Sequence, residues 1–527
     1  MPKSFNITGV CIPELHYMAD TRNRINEITA NYIEKGCYFT INRARQSGKT
    51  TTLYLLEKHL QEKYTVIRFS FEAADELFTS LYSFATGLIQ ITSNELKRQK
   101  ADENILKKWQ EPPSKEFPFI GLSTRITELC QNSSKKIVLM IDETDKSSDN
   151  QIFLSFLGLL RNKYLEQQQQ RDNTFHSVIL AGVYDIKNLK LKLHPGEEPK
   201  YNSPWNIAAD FTIDMCFKPD EIAGMISMYE EDFKTGMDIK ALSNWIYEYT
   251  SGYPYMVSCI CLVLDKYVAG SQDFPEKKDA WTKEGFLKAV RIFLQSSNTL
   301  FDDMAKKLNE FPVLKERIGD ILFCGAQYTF EADSPVINTG IMFGFLKNSG
   351  NIVTVANRIF ETKIYNMLLS EKEFAQGINF KHTGNIKQFI KEGRLNMYLV
   401  MEKFLEYYEE IFGNTSEKFI ENEGRRIFLM YLRPIINGSG NYYIEAMTRD
   451  QTRTDVIVDY GGQRFIIEMK LWHGKVYNRH GEEQLINYLD YYKQDTGYLL
   501  SFNFNKHKKT GISKIVINNK TIVETVV

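Results

Sequence analysis

Two acidic residues face each other across a short hairpin near the C-terminus of the chain. Thr454-Asp455-Val456-Ile457-Val458-Asp459-Tyr460 reads as a strand and Gly461-Gly462 as a two-residue turn. Arg464-Phe465-Ile466-Ile467-Glu468-Met469-Lys470 reads as the returning strand. Counting outward from the turn pairs Tyr460 with Gln463, Val458 with Phe465, Val456 with Ile467 and Asp455 with Glu468. Strand side chains alternate, so the apolar pairs bury one face while Asp455, Glu468 and Lys470 share the other. Opposed carboxylates with Cβ atoms about 5 Å apart repel one another. A divalent cation between them removes that repulsion. With a lysine two residues on, the set suits metal-assisted phosphodiester hydrolysis, through Mg²⁺ or Mn²⁺. A merely solvated hairpin would carry the same residues on its wet face, so the surrounding elements must decide.

Those elements have a definite order. A helix carrying Glu421, Glu423, Ile427, Phe428, Leu429 and Leu432 precedes the strands. A second helix, Glu482-Glu483-Gln484-Leu485-Ile486-Asn487-Tyr488-Leu489, follows them, and then the strand Tyr498-Leu499-Leu500-Ser501-Phe502. Helix, three strands, helix and strand, with Asp455, Glu468-Met469-Lys470 and Gln484 in sequence, resembles the PD-(D/E)XK nuclease superfamily. The resemblance implies a restriction-endonuclease-like α/β core. In it Asp455 and Glu468 would hold the metal, and Lys470 would position or activate the attacking water. Gln484 matches the glutamine of the following helix. Glu423 would be the acid from the first helix, with Glu421 as its rival. Thr454 stands where the proline of the motif is expected.

The N-terminal third carries a second constellation. Gly36-Cys37-Tyr38-Phe39-Thr40-Ile41-Asn42 reads as a strand, Arg43-Ala44-Arg45-Gln46-Ser47-Gly48-Lys49-Thr50-Thr51-Thr52 as a loop entering a helix. Strand, loop, Gly-Lys-Thr and helix is the setting of a P-loop. Backbone N–H groups from Arg45 to Thr51 would cradle the phosphates of ATP, Lys49 would neutralise them, and the Thr50 hydroxyl would hold Mg²⁺. Arg43 stands where G-x-x-x-x-G-K-T has its first glycine. About ninety residues on, Lys136-Ile137-Val138-Leu139-Met140-Ile141-Asp142-Glu143 ends a buried strand in two acids, the Walker B pattern. There Asp142 would reach Mg²⁺ through water and Glu143 would orient the attacking water. Further strands at 64–69, 177–183 and 211–215 complete five in a parallel, doubly wound sheet, with the two motif strands side by side. Tyr184 and Asp185 fall where a residue sensing the γ-phosphate would sit.

This half resembles the AAA-like P-loop ATPases of bacteria and archaea, close to the signal-transduction ATPases. The resemblance rests on four segments: Gly9 to Asp20, Phe39 to Thr50, Ile141 to Lys146 and Tyr201 to Asp210. It covers roughly the first 370 residues. In that family the first P-loop glycine is itself missing, and several bacterial members carry a nuclease domain like the one read above. The resemblance also implies an arm before residue 20 beside the nucleotide, and a helical lid marked by Gly252-Tyr253-Pro254.

The expected organisation is an ATPase core over 1–217, a helical lid over 218–296, a winged-helix-like domain over 297–372, a linker over 373–395 and a nuclease-like domain over 396–527. Winged helices bind DNA or serve as internal packing modules, and both roles stay open. At 527 residues the chain is too long for one core. A hydrophobic fraction of 43% with 25% charged residues is that of an ordinary globular protein. No apolar run approaches a membrane span, and the opening Met1-Pro2-Lys3-Ser4-Phe5-Asn6 has no signal-peptide pattern. Seven scattered cysteines form no disulfide framework, which fits a reducing cytoplasm, and the resemblance to the AAA-like ATPases implies a prokaryotic one. Net charge is −1, so a nucleic-acid surface would have to be local, as at Lys506-His507-Lys508-Lys509. The reading is an ATP-gated, metal-dependent nuclease acting on nucleic acid, DNA before RNA, with a homo-oligomer left open. The alternative is an ATP-driven switch whose C-terminal domain binds nucleic acid or protein without cutting.

Overall fold

The computed structural model describes residues 2–72, 74–147, 150–183, 205–324, 326–376, 386–412, 421–436, 440–447, 453–471, 475–503 and 509–527. The side chains of Glu421, Glu423 and Asp455 are not among those described, and Tyr184, Asp185 and the Lys506–Lys508 run lie outside the described residues. The chain divides into two compact units, Met1–Lys283 with Asn338–Leu346, and Glu284–Ile337 with Lys347–Val527.

The first unit is built on a parallel sheet. Its strands β1 (Tyr38–Asn42), β2 (Thr65–Ser70), β3 (Ile137–Asp142) and β4 (Ser177–Gly182) run in the order β1-β4-β3-β2. All six residues of β3 and of β4 are buried, as expected of strands covered on both faces. Alternation sends Tyr38, Ile67, Leu139, Ile141, Val178 and Leu180 into one core. Phe39, Ile41, Val66, Val138, Met140, Ile179 and Ala181 enter the other. Helices α1 (Arg22–Ile28) and α2 (Lys49–Leu60) cover the second face; α3 (Leu81–Arg98), α4 (Glu103–Gln110), α5 (Pro118–Asn132) and α6 (Gln151–Gln168) build the first. Three further helices follow, α7 (Pro219–Phe233), α8 (Ile239–Thr250) and α9 (Pro254–Val263). Pro219 and Pro254 both sit at helix starts, where the missing N–H costs nothing.

Two sequence expectations for this sheet fail. Residues 211–215 form no strand; the edge beside β1 carries only a bridge between Phe39 and Ala209. Side chains take over the ladder's work there. The Arg43 guanidinium donates to the carbonyls of Phe211 and Ile213, each at 3.0 Å. The Tyr32 hydroxyl donates to Asp210 O at 2.9 Å and accepts from Thr212 N at 3.1 Å. With its polar groups satisfied in this way, the segment needs no strand pairing. The motif strands β1 and β3 are also not neighbours, because β4 lies between them.

The second unit starts with helices α10 (Lys283–Gln295), α11 (Thr299–Glu310) and α12 (Pro312–Cys324), α10 apart from its first residue. A small sheet of order β5-β7-β6 follows, from β5 (Tyr328–Thr329), β6 (Leu346–Ser349) and β7 (Ile352–Val355). Helix α13 (Pro335–Met342) precedes β6 and from Asn338 on belongs to the first unit, as does Leu346 of β6; α14 (Arg358–Gln376) follows β7. A two-residue pairing, β8 (Ile390–Lys391) with β9 (Arg394–Leu395), then leads to α15 (Met397–Phe412) and α16 (Glu421–Ile436).

The last sheet contains β10 (Gly440–Met447), β11 (Arg453–Tyr460), β12 (Gln463–Leu471), β13 (Thr496–Phe502), β14 (Gly511–Ile517) and β15 (Lys520–Val526). Its order is β10-β11-β12-β13-β15-β14. Helix α17 (Lys475–Tyr491) makes the crossover between the parallel neighbours β12 and β13. One face packs Val456, Val458, Ile467, Met469 and Leu500 against residues of α15 and α16. The other packs Ile466, Leu499 and Ile522 against Leu485, Tyr488 and Leu489 of α17. The helix–strands–helix–strand order read from the sequence is present, with two more strands at its end.

Candidate functional site

The hairpin forms in the register that its glycine turn dictates. Tyr460 pairs with Gln463, Val458 with Phe465 and Val456 with Ile467. Gly461 and Gly462 take φ values of 54° and 83°, which a two-residue turn of this hand demands at both positions. Carried one step further, the same register sets the Asp455 position against Glu468.

Glu468 is not on a wet surface. Its side chain is 0% exposed, and its carboxylate meets the Lys470 ammonium at 3.0 Å. Alternation along β12 puts both residues on the α17 face, with Ile466. Gly481 of α17 lies over Lys470: a Cβ there would sit in ordinary contact, 3.4 Å from Lys470 Cγ and 3.5 Å from Leu499 Cδ1. One turn further along α17, Gln484 donates its amide to the Tyr488 hydroxyl at 2.7 Å. Register also places Ser501, fully buried, beside Lys470 on β13.

Helix α16 approaches the same end of the sheet. A Cβ on Gly424 would come within 2.5 Å of the Phe502 ring, and Phe502 pairs with Leu471. The first turn of α16, to which Glu421 and Glu423 belong, thus abuts the strand end next to Lys470. Among the described residues no group of three or more His, Cys, Asp or Glu side chains is placed to hold a metal ion; the described donor is the buried Glu468 carboxylate, a hard oxygen ligand of the kind a divalent cation takes.

The phosphate loop of the first unit lies at the C-terminal edge of its sheet. Gln46 (φ 58°) and Gly48 (φ 87°) are left-handed, and Gly48 is the N-cap of α2 without a side-chain cap. The first N–H groups of α2 therefore face the loop, as an anion site requires. The Ser47 hydroxyl is buried there and has no hydrogen-bond partner among the described residues. Lys49 is buried, its ammonium donating to the carbonyls of Arg43 at 2.9 Å and Ala44 at 3.0 Å. Burial pushes the Lys49 ammonium down, against the upward pull of Asp145, Glu143 and Asp142. The Walker acids are thus brought to the lysine although β4 separates their strands. Asp142 is buried and accepts from Glu143 N at 2.9 Å. Glu143 has φ 54°, a left-handed backbone, and burial followed by the Asp142 charge pushes its carboxyl up. The loop fits the phosphates and magnesium of a nucleotide. Thr50 follows Lys49 at the helix start, half-buried, and the Thr51 hydroxyl accepts from Cys11 N at 3.1 Å. The Arg45 side chain is exposed.

Two elements expected from the sequence reach this loop. The Tyr253 hydroxyl donates to the Arg45 carbonyl, and Pro254 lies 3.9 Å from where a Gly48 Cβ would stand. The N-terminal arm is tied to α7 by Tyr17, whose hydroxyl donates to Asp232 at 2.6 Å, and by Phe5 stacked on Tyr229 at 5.4 Å.

Other residues escaped the sequence reading. Asp145 accepts from Val183 N with both carboxylate oxygens at 2.7 Å, and the Thr144 hydroxyl donates to Ala181 O at 3.1 Å. Gly182 lies beneath them: a Cβ there would meet Asp145 Oδ1 at 2.6 Å and Thr144 Oγ1 at 2.8 Å. The signal was present as Asp142-Glu143-Thr144-Asp145 and a glycine ending β4, but only the strand order brings the two together.

Comparison with known proteins assigns a family to each of the two regions. The description "AAA-like domain" matches residues 16–309, more than half of the chain. The chain belongs to the AAA-like domain family. Residues 441–515 match the PD-(D/E)XK nuclease superfamily, so the chain carries a nuclease-superfamily domain after its AAA-like domain. Among solved structures, a Walker-type ATPase of Pyrococcus abyssi aligns with 14% identity and a TM-score of 0.45 over 68% of this chain and 99% of its own. The ORC2 protein of Aeropyrum pernix in its ADPNP-ADP complexes aligns with 11% identity and a TM-score of 0.36, over 67% and 95%. The ORC1 protein of Aeropyrum pernix in complex with DNA aligns with 9% identity and a TM-score of 0.30, over 86% and 91%. No curated protein matches the chain. Among the described residues, no helix is long and apolar enough to cross a membrane.

Proposed function

We propose that the protein binds and hydrolyses ATP·Mg²⁺ in its first unit, and that nucleotide state there gates a metal-dependent nuclease in its C-terminal domain. The observation that carries the nuclease reading is the burial of Glu468. A carboxylate with no exposed surface is expensive to hold charged unless a cation compensates it. Lys470 supplies one such cation, and the register that opposes Asp455 to Glu468 supports a divalent ion as the second. A solvated hairpin would not bury its acid.

In this reading Asp455 and Glu468 hold Mg²⁺ or Mn²⁺, with Glu423, or Glu421, adding a ligand from α16. The bound metal lowers the pKa of water and stabilises charge on the scissile phosphate. Lys470 holds the attacking water or the developing phosphate charge, and Gln484, fixed by Tyr488, orients beside it. In the first unit the loop N–H groups of Arg45, Gln46, Ser47, Gly48, Lys49, Thr50 and Thr51 hold the phosphates. Thr50 and Asp142 hold the magnesium ion, and Glu143 orients the attacking water. The substrate is nucleic acid, DNA before RNA. The proposed boundaries remain a core over 1–217, lid over 218–296, winged-helix-like domain over 297–372, linker over 373–395 and nuclease-like domain over 396–527. The proposed setting is the cytoplasm of a prokaryote.

The test is to incubate the full chain with single- and double-stranded DNA and RNA in Mg²⁺ and in Mn²⁺, with and without ATP. Cleavage should require the divalent ion, change with ATP, and disappear in Asp455→Ala and Glu468→Gln. Binding of nucleic acid without cleavage under every condition would favour the switch that binds and does not cut. Cleavage at the wild-type rate by both variants would overturn the site.

A further inference from the structure

Arg43 stands where a P-loop ordinarily has its first glycine, and by motif alone it looks like decay. The structure shows a built strut. Its guanidinium donates to Phe211 O and Ile213 O at 3.0 Å each and to Asn42 O at 3.0 Å, and lies 5.1 Å from the centre of the Phe211 ring. Its main chain is engaged as well. Arg43 N donates to Gly182 O at 3.1 Å, and Arg43 O accepts from the Lys49 ammonium at 2.9 Å. One residue therefore touches the phosphate lysine, the end of β4 and the segment that leads into α7.

That segment closes a ring back onto the loop. Phe217 N donates to Gly252 O at 2.7 Å, and no side chain fits at Gly252, because a Cβ would lie 1.9 Å from Phe217 O. Next to Gly252, Tyr253 donates its hydroxyl to Arg45 O. The circuit runs from Arg43 through 211–217 to 252–253 and returns to Arg45. A loop gripped at two points by the base of its helical cover cannot shift without moving that cover.

We propose that Arg43 is a positioning residue of the ATPase, one that couples phosphate binding at the loop to the placement of residues 211–217 and so of the helices α7 and α9 beyond them. The inference rests on the reading of this loop as an ATP site. When Lys49 exchanges the carbonyls of Arg43 and Ala44 for phosphate oxygens, the Arg43 peptide is released on one side. The guanidinium on the other side transmits that change to Phe211 and Ile213. Glycine, the residue the motif would restore, has no side chain with which to do so. Lysine could reach with one ammonium but cannot reproduce the planar fork.

The test uses the full chain and the variants Arg43→Gly, Arg43→Lys and Arg43→Met, with Lys49→Ala in parallel. Three quantities are read: affinity for a fluorescent ATP analogue, kcat and KM for ATP hydrolysis, and amide exchange of residues 211–217 with and without ATP·Mg²⁺. Arg43→Gly should lower kcat about tenfold or more, as expected when a site loses its alignment. Its KM should move less than about threefold, since the phosphate cradle remains. The protection that ATP confers on 211–217 should vanish in Arg43→Gly and return in part in Arg43→Lys. Loss of a merely structural contact would raise exchange equally with and without ATP. The proposal is overturned if Arg43→Gly turns over as fast as wild type and keeps ATP-dependent protection. If Arg43→Gly does not fold, Arg43→Met decides by the same two readouts, since it retains the apolar stem over Phe211. Unchanged ATP binding and hydrolysis in Lys49→Ala would instead sink the ATP site itself.

Discussion

Replacing Lys470 by methionine keeps the aliphatic stem against Gly481 and removes the ammonium 3.0 Å from the buried Glu468 carboxylate. At that separation and an effective dielectric of about 20, Coulomb's law gives about 5.5 kcal/mol of gross attraction. Removing one member of a buried pair costs about 3–5 kcal/mol, because the other charge stays in the protein. Lys470 is 17% exposed, so solvent screens part of the interaction. The lower end, about 3 kcal/mol, is the expected loss. It should appear as faster amide exchange across β12 in EDTA, read as an opening free energy. A divalent ion held by Glu468 then becomes the compensating charge. Titrating Mn²⁺ to about 100 times its dissociation constant should return about 2.7 kcal/mol. Glu468→Gln removes the charge without the volume and should show neither the EDTA penalty nor the response to Mn²⁺. The reasoning is refuted if Lys470→Met is as stable as wild type in EDTA, or if Mn²⁺ stabilises Glu468→Gln as much as wild type.

Four further outcomes are expected in the first unit. Lys49→Ala should weaken ATP binding about a hundredfold, as loss of a charge-assisted phosphate contact would. Glu143→Gln should keep binding and lose turnover; equilibrium titration beside steady-state hydrolysis separates the two. Gly182→Ala places a Cβ 2.6 Å from Asp145 Oδ1, so it should displace the Asp145 clamp on Val183 and lower both thermal stability and turnover. An alanine variant with wild-type melting and hydrolysis would show the clamp to be dispensable. Asp172→Asn should destabilise at pH 7, because Asp172 accepts from the Lys163 ammonium at 2.6 Å and Lys163 is 1% exposed. Burial pushes the Asp172 carboxyl up, but the hydrogen bonds from Lys163 and Thr127 outweigh it and hold it below the usual carboxylate range. Its contribution is therefore complete above the unfolded value of about 3.9 and is lost as pH falls through the lower folded value. The gap between wild type and Asp172→Asn in denaturant melts should narrow on that acidification, and a gap that widened would contradict the pairing.

Local chemistry made much of this protein legible before any tertiary contact was known. The Gly461-Gly462 turn requires two left-handed residues, and that fixed the register that brings Val456 to Ile467 and Val458 to Phe465. An apolar strand followed by a loop into Gly48-Lys49-Thr50, and an apolar run ending in Asp142-Glu143, announced strands that deliver phosphate-site residues to one edge of a parallel sheet. Period, turn chemistry and charge act within a few residues, so one sequence displays them. What the tertiary structure decided acts across the chain. Strand order set β4 between the two motif strands and thereby placed Gly182 under Asp145. Glu468 is fully buried on the sheet face that the crossover helix α17 covers, which no pattern within β12 foretells. The segment 211–215 has the apolar alternation of a strand, yet Arg43 donates to its carbonyls and Tyr32 accepts from Thr212 N, both remote in sequence, and it pairs with no strand. A strand exists only when a partner's backbone meets it, and which partner meets it is settled by the packing of the whole unit.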